Sequence, residues 1–162
     1  MTSSPEEYIE RLSGISQKKY VLLQDLYILT QSQAVAIDCE EIKKLEELIE
    51  NKQLKIDAIT KLDDDFGVYF KRLKQILGVS SLDEVKEASY KGVKEFKTAV
   101  KNILDISKEI SQMENDNNMK ARKLLDSIGE EIRKMNMGRK ANSVYNQAAD
   151  MKQPSYYIDK KK

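Results

Sequence analysis

Apolar residues recur at alternating intervals of three and four along a long central stretch, from Ile42 to Leu77. A repeat that averages 3.5 residues keeps one face of an α-helix directed at a neighbouring helix, so it predicts one long helix. At 1.5 Å per residue this helix is roughly 54 Å long. It cannot bury its apolar face against itself, so flanking segments must cover it. The apolar positions are Ile42, Leu45, Ile49, Ile56, Ile59, Phe66, Phe70, Leu73 and Leu77, and Lys52 and Asp63 interrupt them.

A helix of the same kind is predicted before it. Ser4, Pro5 and Glu7 form a helix start, in which Ser4 caps the first turn and Glu7 completes a capping box. The same spacing then continues to about Ile37. Its apolar positions are Tyr8, Leu12, Ile15, Leu22, Leu26, Leu29 and Ala36, with Lys19 and Gln33 as polar interruptions.

The break between these two helices begins at Asp38, which we expect to cap the second helix with Glu41 as its partner. The pattern allows a tight turn or a kink. A turn is favoured because two striped helices of similar length can bury each other in an antiparallel hairpin.

A third helix is predicted between Gly78, which ends the second, and Gly138, its own terminator. Ser80 and Ser81 with Glu84 signal a restart, which leads into the helix or forms a separate short segment before Gly92. The polar run 115–118 predicts a bend or weak packing. The apolar positions are Val93, Phe96, Val100, Ile103, Ile110, Met113, Ala121, Leu124, Leu125, Ile128, Ile132 and Met135.

The predicted fold is therefore all-α: a long antiparallel helical hairpin plus a third helix, as a three-helix bundle or coiled coil. We expect a bundle domain over residues 1–138. With 34% charged residues, no Trp and only two Pro, the composition is typical of long helices.

Charge and composition exclude several classes of function. A net charge of +1 predicts no nucleic-acid binding, and no apolar run is long enough for stable membrane insertion. The N-terminus lacks the basic and apolar regions of a signal peptide. The single cysteine, Cys39, excludes an internal disulfide and fits a reducing compartment. We predict a cytoplasmic protein.

The residues that usually carry catalysis are missing. The chain has no histidine, which removes the commonest general base and most zinc sites. Its six glycines are scattered and form no phosphate-binding loop. The acidic run 63–65 lacks the glycine and the distal glutamate of a calcium loop. We predict no cofactor, no metal site and no enzymatic activity.

Residues 139–162 form a segment of different character. Six basic and two acidic residues lie between Gly138 and Lys162, without a helical stripe. The segment nevertheless contains Tyr145, Tyr156 and Tyr157, whereas disordered tails are normally poor in aromatic residues. We therefore predict a flexible tail that becomes ordered on a partner. A solvated tail without a role is the alternative.

The hairpin region resembles the FlgN-type flagellar export chaperones. The likeness covers residues 8–77 and, more loosely, the third helix, and its most specific parts are Asp38 before Glu40 and the Lys52-Gln53 step. The last eight residues, 155–162, also resemble the endings of Gram-positive members of that family.

This resemblance implies a cytosolic chaperone without an ATPase of its own. Such a protein binds hook-associated (hook–filament junction) proteins, keeps their terminal helices soluble and delivers them to the export gate of the flagellar type III apparatus. It places client contacts on the third helix and the tail, at Leu125, Ile128, Ile132, Met135, Val144, Tyr145, Tyr156, Tyr157 and Ile158.

The alternative function is that of a structural coiled-coil scaffold or a homodimeric interaction protein, whose apolar stripe pairs with a second copy. A homodimer of the client-free chaperone also stays open at this stage.

Overall fold

The computed structural model describes the backbone of residues 4–139 and the side chains of residues 4–137. Three long helices account for most of it: α1 (Pro5–Asp38), α2 (Ile42–Leu77) and α3 (Val93–Arg139). A 3₁₀ turn at Leu82–Glu84 lies between α2 and α3, and residues 4–139 contain no β-strand. The prediction of an all-α hairpin with a third helix is confirmed.

The start of α1 is built as the sequence predicts. Pro5 is its first residue, and the Ser4 hydroxyl accepts a hydrogen bond from the backbone N–H of Glu7 at 3.3 Å. This bond satisfies one of the N–H groups that a helix N-terminus leaves without an intrahelical partner.

The break between α1 and α2 is a turn. The Glu41 N–H donates to the Ala36 carbonyl at 2.9 Å, and the Glu40 N–H donates to the Ile37 carbonyl at 3.1 Å. These two bonds form a Schellman motif, which closes a helix C-terminus around one residue of left-handed conformation. Glu40 occupies that position with φ of 56°.

The predicted capping role of Asp38 is wrong, because Asp38 is the last residue of α1. The first backbone bond of α2 instead runs from the Leu45 N–H to the Glu41 carbonyl at 3.0 Å, which makes Glu41 the N-cap. The backbone N–H groups of Glu40 and Glu41 therefore cap the C-terminus of α1, and α2 begins at the next residue, Ile42.

Glycines bound the connection between α2 and α3. Gly78, with φ of 67°, follows α2 and is its predicted terminator. The restart at residues 80–84 yields only the 3₁₀ turn, in which the Glu84 carboxylate accepts a bond from the Ser80 N–H at 2.6 Å. The third helix begins at Val93, after Gly92 with φ of 89°. Of the two alternatives, the separate short segment is correct. The predicted end at Gly138 falls at the limit of the described residues.

The chain divides into two compact units, and each contains a segment of every long helix. Unit 1 comprises the described residues up to Tyr27 together with Gln53–Glu109. Unit 2 comprises Ile28–Lys52 together with the described residues from Ile110 onwards.

Unit 1 has an aromatic-rich core. The Phe66 and Phe96 rings lie 6.0 Å apart, and the Tyr8 and Tyr69 rings lie 6.3 Å apart. In this unit α1 and α2 run antiparallel. Tyr8 of α1 lies beside Tyr69 of α2, and Lys19, which comes later in α1, pairs with Asp63, which comes earlier in α2. The buried residues of its core are Ile9, Leu12, Leu73, Val85, Val93 and Phe96.

Unit 2 has a smaller aliphatic core. Leu29 and Leu124 pack against it while partly exposed. Its buried residues are Ala36, Ile37, Leu45, Leu48, Ile49 and Ala121.

The buried line of α1 includes Leu12, Leu26 and Ala36 of the predicted stripe and lies one position further along the helix at the other predicted positions. Tyr8, Leu22 and Leu29 are only half-buried. The fully buried positions follow the same spacing but include hydroxyl and amide side chains, which hide the line from a reading based on hydrophobicity. They include Ile9, Leu12, Ser16, Leu23, Leu26, Thr30, Gln33 and Ile37.

Candidate partner-binding surface

The end of α3 extends past the hairpin in unit 2. Asp38, the last residue of α1, has its carboxylate 3.3 Å from the Lys120 amine. From Lys120 to Arg139, α3 continues for roughly 28 Å. None of the described side chains from Arg122 to Met137 is buried. This end of α3 therefore has a face that is covered only in part.

Four of the predicted client contacts lie on that face. Leu125, Ile128 and Ile132 are half-buried and Met135 is exposed. Their spacing of three, four and three residues aligns them along one side of α3. We call these four residues the α3 apolar face. They form a short stripe suited to packing against another helix.

The surroundings of the α3 apolar face have no dominant charge. The exposed charged residues between 122 and 137 are four basic and three acidic, so apolar contact rather than a strong field must carry recognition here. They are Arg122, Lys123, Asp126, Glu130, Glu131, Arg133 and Lys134.

The other predicted contacts are Val144, Tyr145, Tyr156, Tyr157 and Ile158. They lie outside the described residues, so their part in the site stays a prediction.

A buried polar cluster lies inside unit 2, and two of its residues are polar interruptions of the apolar stripes of α1 and α2. The Lys52 side chain has no exposed surface; its amine donates to the Gln33 side-chain oxygen at 2.6 Å and forms an ion pair with Glu114. Burial lowers the pKa of Lys52, and the charge of Glu114 partly opposes that effect. We call Gln33, Lys52 and Glu114 the polar layer.

The sequence does carry a signal for such pairing. The polar interruptions of α1 and α2 lie at comparable separations from the turn, so an antiparallel hairpin can bring them together. The other pair also meets, in unit 1, where the Lys19 amine lies 2.7 Å from the Asp63 carboxylate. Polar residues that interrupt the apolar stripes of two facing helices can therefore be predicted to pair with each other.

The polar run 115–118 is well packed on one side, so the expectation of weak packing there is wrong. Asn117 is buried, and its side-chain amide donates to the Thr30 carbonyl at 3.0 Å. Residues on either side are helical, so α3 continues through this run without a break.

Comparison with protein families decides the assignment. The sequence matches the family model FlgN, described as FlgN protein, over residues 1–153. The chain belongs to the FlgN family. FlgN proteins are chaperones of flagellar assembly, which fits a helical protein with a partly exposed apolar face.

The FlgN match covers the three helices and the first part of the tail. It includes Val144 and Tyr145, whereas Tyr156, Tyr157 and Ile158 lie beyond its limit. Neither the curated proteins nor the solved structures gave a match. Within residues 4–139, none of the helices combines the length and apolar character needed to cross a bilayer.

Proposed function

We propose that this FlgN-family protein is a cytoplasmic export chaperone for hook-associated flagellar proteins. It binds the terminal helices of these clients, keeps them soluble and delivers them to the export gate of the type III apparatus. The α3 apolar face and the tail carry the contact.

The observation that supports this proposal most directly is the partly exposed apolar face at the end of α3. An amphipathic client helix that packs against Leu125, Ile128, Ile132 and Met135 removes apolar surface of both chains from water. Each Å² buried contributes about 25 cal/mol before the ordering terms. Helix packing of this kind recognises a partner by apolar side chains at helical spacing. Amphipathic helices that are not yet assembled expose such side chains.

The tail supplies a second, weaker argument from the sequence. Aromatic residues in a polar segment favour folding on a partner, and the entropy lost on ordering reduces the net affinity. Moderate affinity allows release at the export gate without nucleotide hydrolysis by the chaperone.

The first test replaces two residues of the α3 apolar face, Ile128→Asp with Ile132→Asp. Two isoleucines that become buried against the client contribute enough for the variant to lose at least about 30-fold in affinity for a purified hook-associated protein, measured by calorimetry. Thermal unfolding is expected to change little, because neither residue belongs to a buried core.

The matched control is Ile28→Asp with Val35→Asp, which changes two exposed residues on α1 of the same unit. We expect this variant to bind like the wild type. Unchanged binding by the α3 variant, or equal losses in both variants, would place the client contact elsewhere.

The second test removes residues 139–162. Helicity and melting temperature should stay nearly constant while client binding is lost or greatly weakened, because the sequence of this segment has no helical stripe. Light scattering on the same samples should give a one-to-one complex for the full chain. A stable homodimer that does not bind the client would support the scaffold function instead.

A further inference from the structure

Unit 1 contains a cavity that the proposed client contact does not use. Its volume is about 200 Å³, and it lies where segments of α1, α2 and α3 meet. The Lys19–Asp63 ion pair forms part of its wall. Its apolar lining consists of Ile15, Phe66, Val100, Ile103 and Leu104.

One polar group in the cavity wall has no hydrogen-bond partner. Ser16 is 1% exposed, and its hydroxyl makes no hydrogen bond within the described chain. Most buried hydroxyl groups in proteins are paired, because a buried unpaired group loses its bonds to water. An occupant with a hydroxyl group of its own would provide that missing partner.

The size and lining of the cavity define the rest of the occupant. A cavity of about 150 Å³ holds one benzene molecule, so this one accommodates a single substituted ring. Lys19 and Asp63 are paired with each other, so the cavity offers an occupant apolar walls and one unpaired hydroxyl group, which match a phenol. Leu104 lines the cavity and is 57% exposed. Its exposed surface can pack against apolar side chains of the polypeptide that carries the ring.

We propose that this cavity binds the tyrosine side chain of an amphipathic helix from a client, with the phenol hydroxyl bonded to Ser16. The identity of the occupant as a client helix rests on the proposed function. The ring-binding chemistry of the cavity does not, so the two can be tested apart.

The first arm of the test uses free rings on the full chain. p-Cresol and toluene are titrated separately while the methyl NMR signals of Val100, Ile103 and Leu104 are followed. Both rings should give saturable shifts. Ser16→Ala should weaken p-cresol binding by about 2- to 10-fold and leave toluene binding nearly unchanged, because only p-cresol can bond to the hydroxyl.

The matched control is Ser32→Ala. Ser32 lies on the same helix, but its hydroxyl donates to the Ile28 carbonyl at 3.0 Å and is outside the cavity lining. This variant should bind both rings like the wild type. Absence of saturable methyl shifts, or an unchanged preference for p-cresol in Ser16→Ala, overturns the proposal.

The second arm uses an amphipathic peptide of about 18 residues, long enough to form a helix, with one central tyrosine and a phenylalanine twin. The tyrosine peptide should shift the same methyl signals and bind more tightly than its twin, and Ser16→Ala should remove that difference. If p-cresol binds but the peptide does not shift those methyl signals, the assignment to a helix is overturned. Loss of hook-associated client binding in the α3 variant is a separate result and does not decide this one.

Discussion

The buried amine of Lys52 is the most unusual residue-scale feature of the chain. A lysine without exposed surface is rare unless it is paired, and here Gln33 and Glu114 face it from α1 and α3. Removing a charge from water is strongly unfavourable, and the ion pair recovers only part of that free energy. The polar layer therefore contributes a specific helix alignment more than stability.

Lys52 should give the protein a distinctive pH dependence. Its folded-state pKa lies below the ordinary value of 10.5, so between these two values the unfolded chain binds more protons than the folded one. The free energy of unfolding must then rise with pH through that window. We expect the stability of the wild type relative to Lys52→Met to increase as the pH is raised towards 10.5, as measured by urea unfolding.

The control for this prediction is Lys55→Met, which removes a partly exposed lysine of α2 that pairs with Asp25 at 3.2 Å. A flat difference for Lys52→Met, or the same slope for both variants, would show that burial of Lys52 does not govern the effect.

At the scale of elements, the two ends of the hairpin helices use the same geometry with different residues. Gly78 follows α2 with φ of 67°, and Glu40 follows α1 with φ of 56°. The left-handed region is open to glycine but unfavourable for residues with a Cβ. The α1–α2 turn is therefore strained where the end of α2 is not.

Glu40→Gly should relieve this strain. We expect the free energy of unfolding to rise by about 0.5–1 kcal/mol, because the conformational freedom that glycine gains in the unfolded chain offsets part of the relief. Differential scanning calorimetry should show a higher melting temperature. Glu40→Ala keeps the Cβ and should not show it, and Gly78→Ala should lower the melting temperature. Equal behaviour of the glycine and alanine variants at position 40 would contradict the strain argument.

The elements themselves were largely predictable from the sequence. The spacing of apolar residues located all three helices, and the cap at Ser4 and the stop at Gly78 follow from local chemistry. The turn chemistry at Asp38 was not predictable, because Asp38 and Glu41 match a helix start as well as they match the end of a helix closed by Glu40.

The side-chain arrangement within the helices was harder to predict. The buried line of α1 passes through Ser16, Thr30 and Gln33, which a hydrophobicity pattern assigns to the surface. Their burial depends on partners from other helices, such as Lys52 and Asn117. The sequence of α1 alone does not indicate these partners. The α3 apolar face was predictable because only its own spacing defines it.

At the scale of the whole molecule, the two cores differ in what holds them. The core of unit 1 contains Phe96, and five further aromatic side chains pack against it: Tyr8, Phe66, Tyr69, Phe70 and Tyr90. The core of unit 2 is aliphatic and includes two alanines, Ala36 and Ala121. Large aromatic side chains bury more apolar area than alanine does, so unit 1 gains more stabilisation per buried residue.

Unit 2 also contains the polar layer and the buried Asn117, which replace apolar contacts with groups that must stay paired. Opening of part of a protein requires less free energy where fewer apolar contacts are broken. We therefore expect unit 2 to open more readily than unit 1 under native conditions. A unit that opens readily can adjust α3 to clients of different shape, which links the weaker core to the proposed chaperone function.

Native-state hydrogen exchange tests this difference directly. The backbone amides of Leu48 and Ile49 in unit 2 should exchange through openings at least about 1 kcal/mol smaller than those of Leu12 and Leu73 in unit 1. Lys52→Met replaces the buried amine with an apolar side chain of similar length. If desolvation of the amine weakens unit 2, this variant should show a smaller difference in opening free energy between the two units at about pH 7. Equal opening free energies in the two units would mean that the helices unfold as one cooperative body, and adjustment of α3 would then require a bound client.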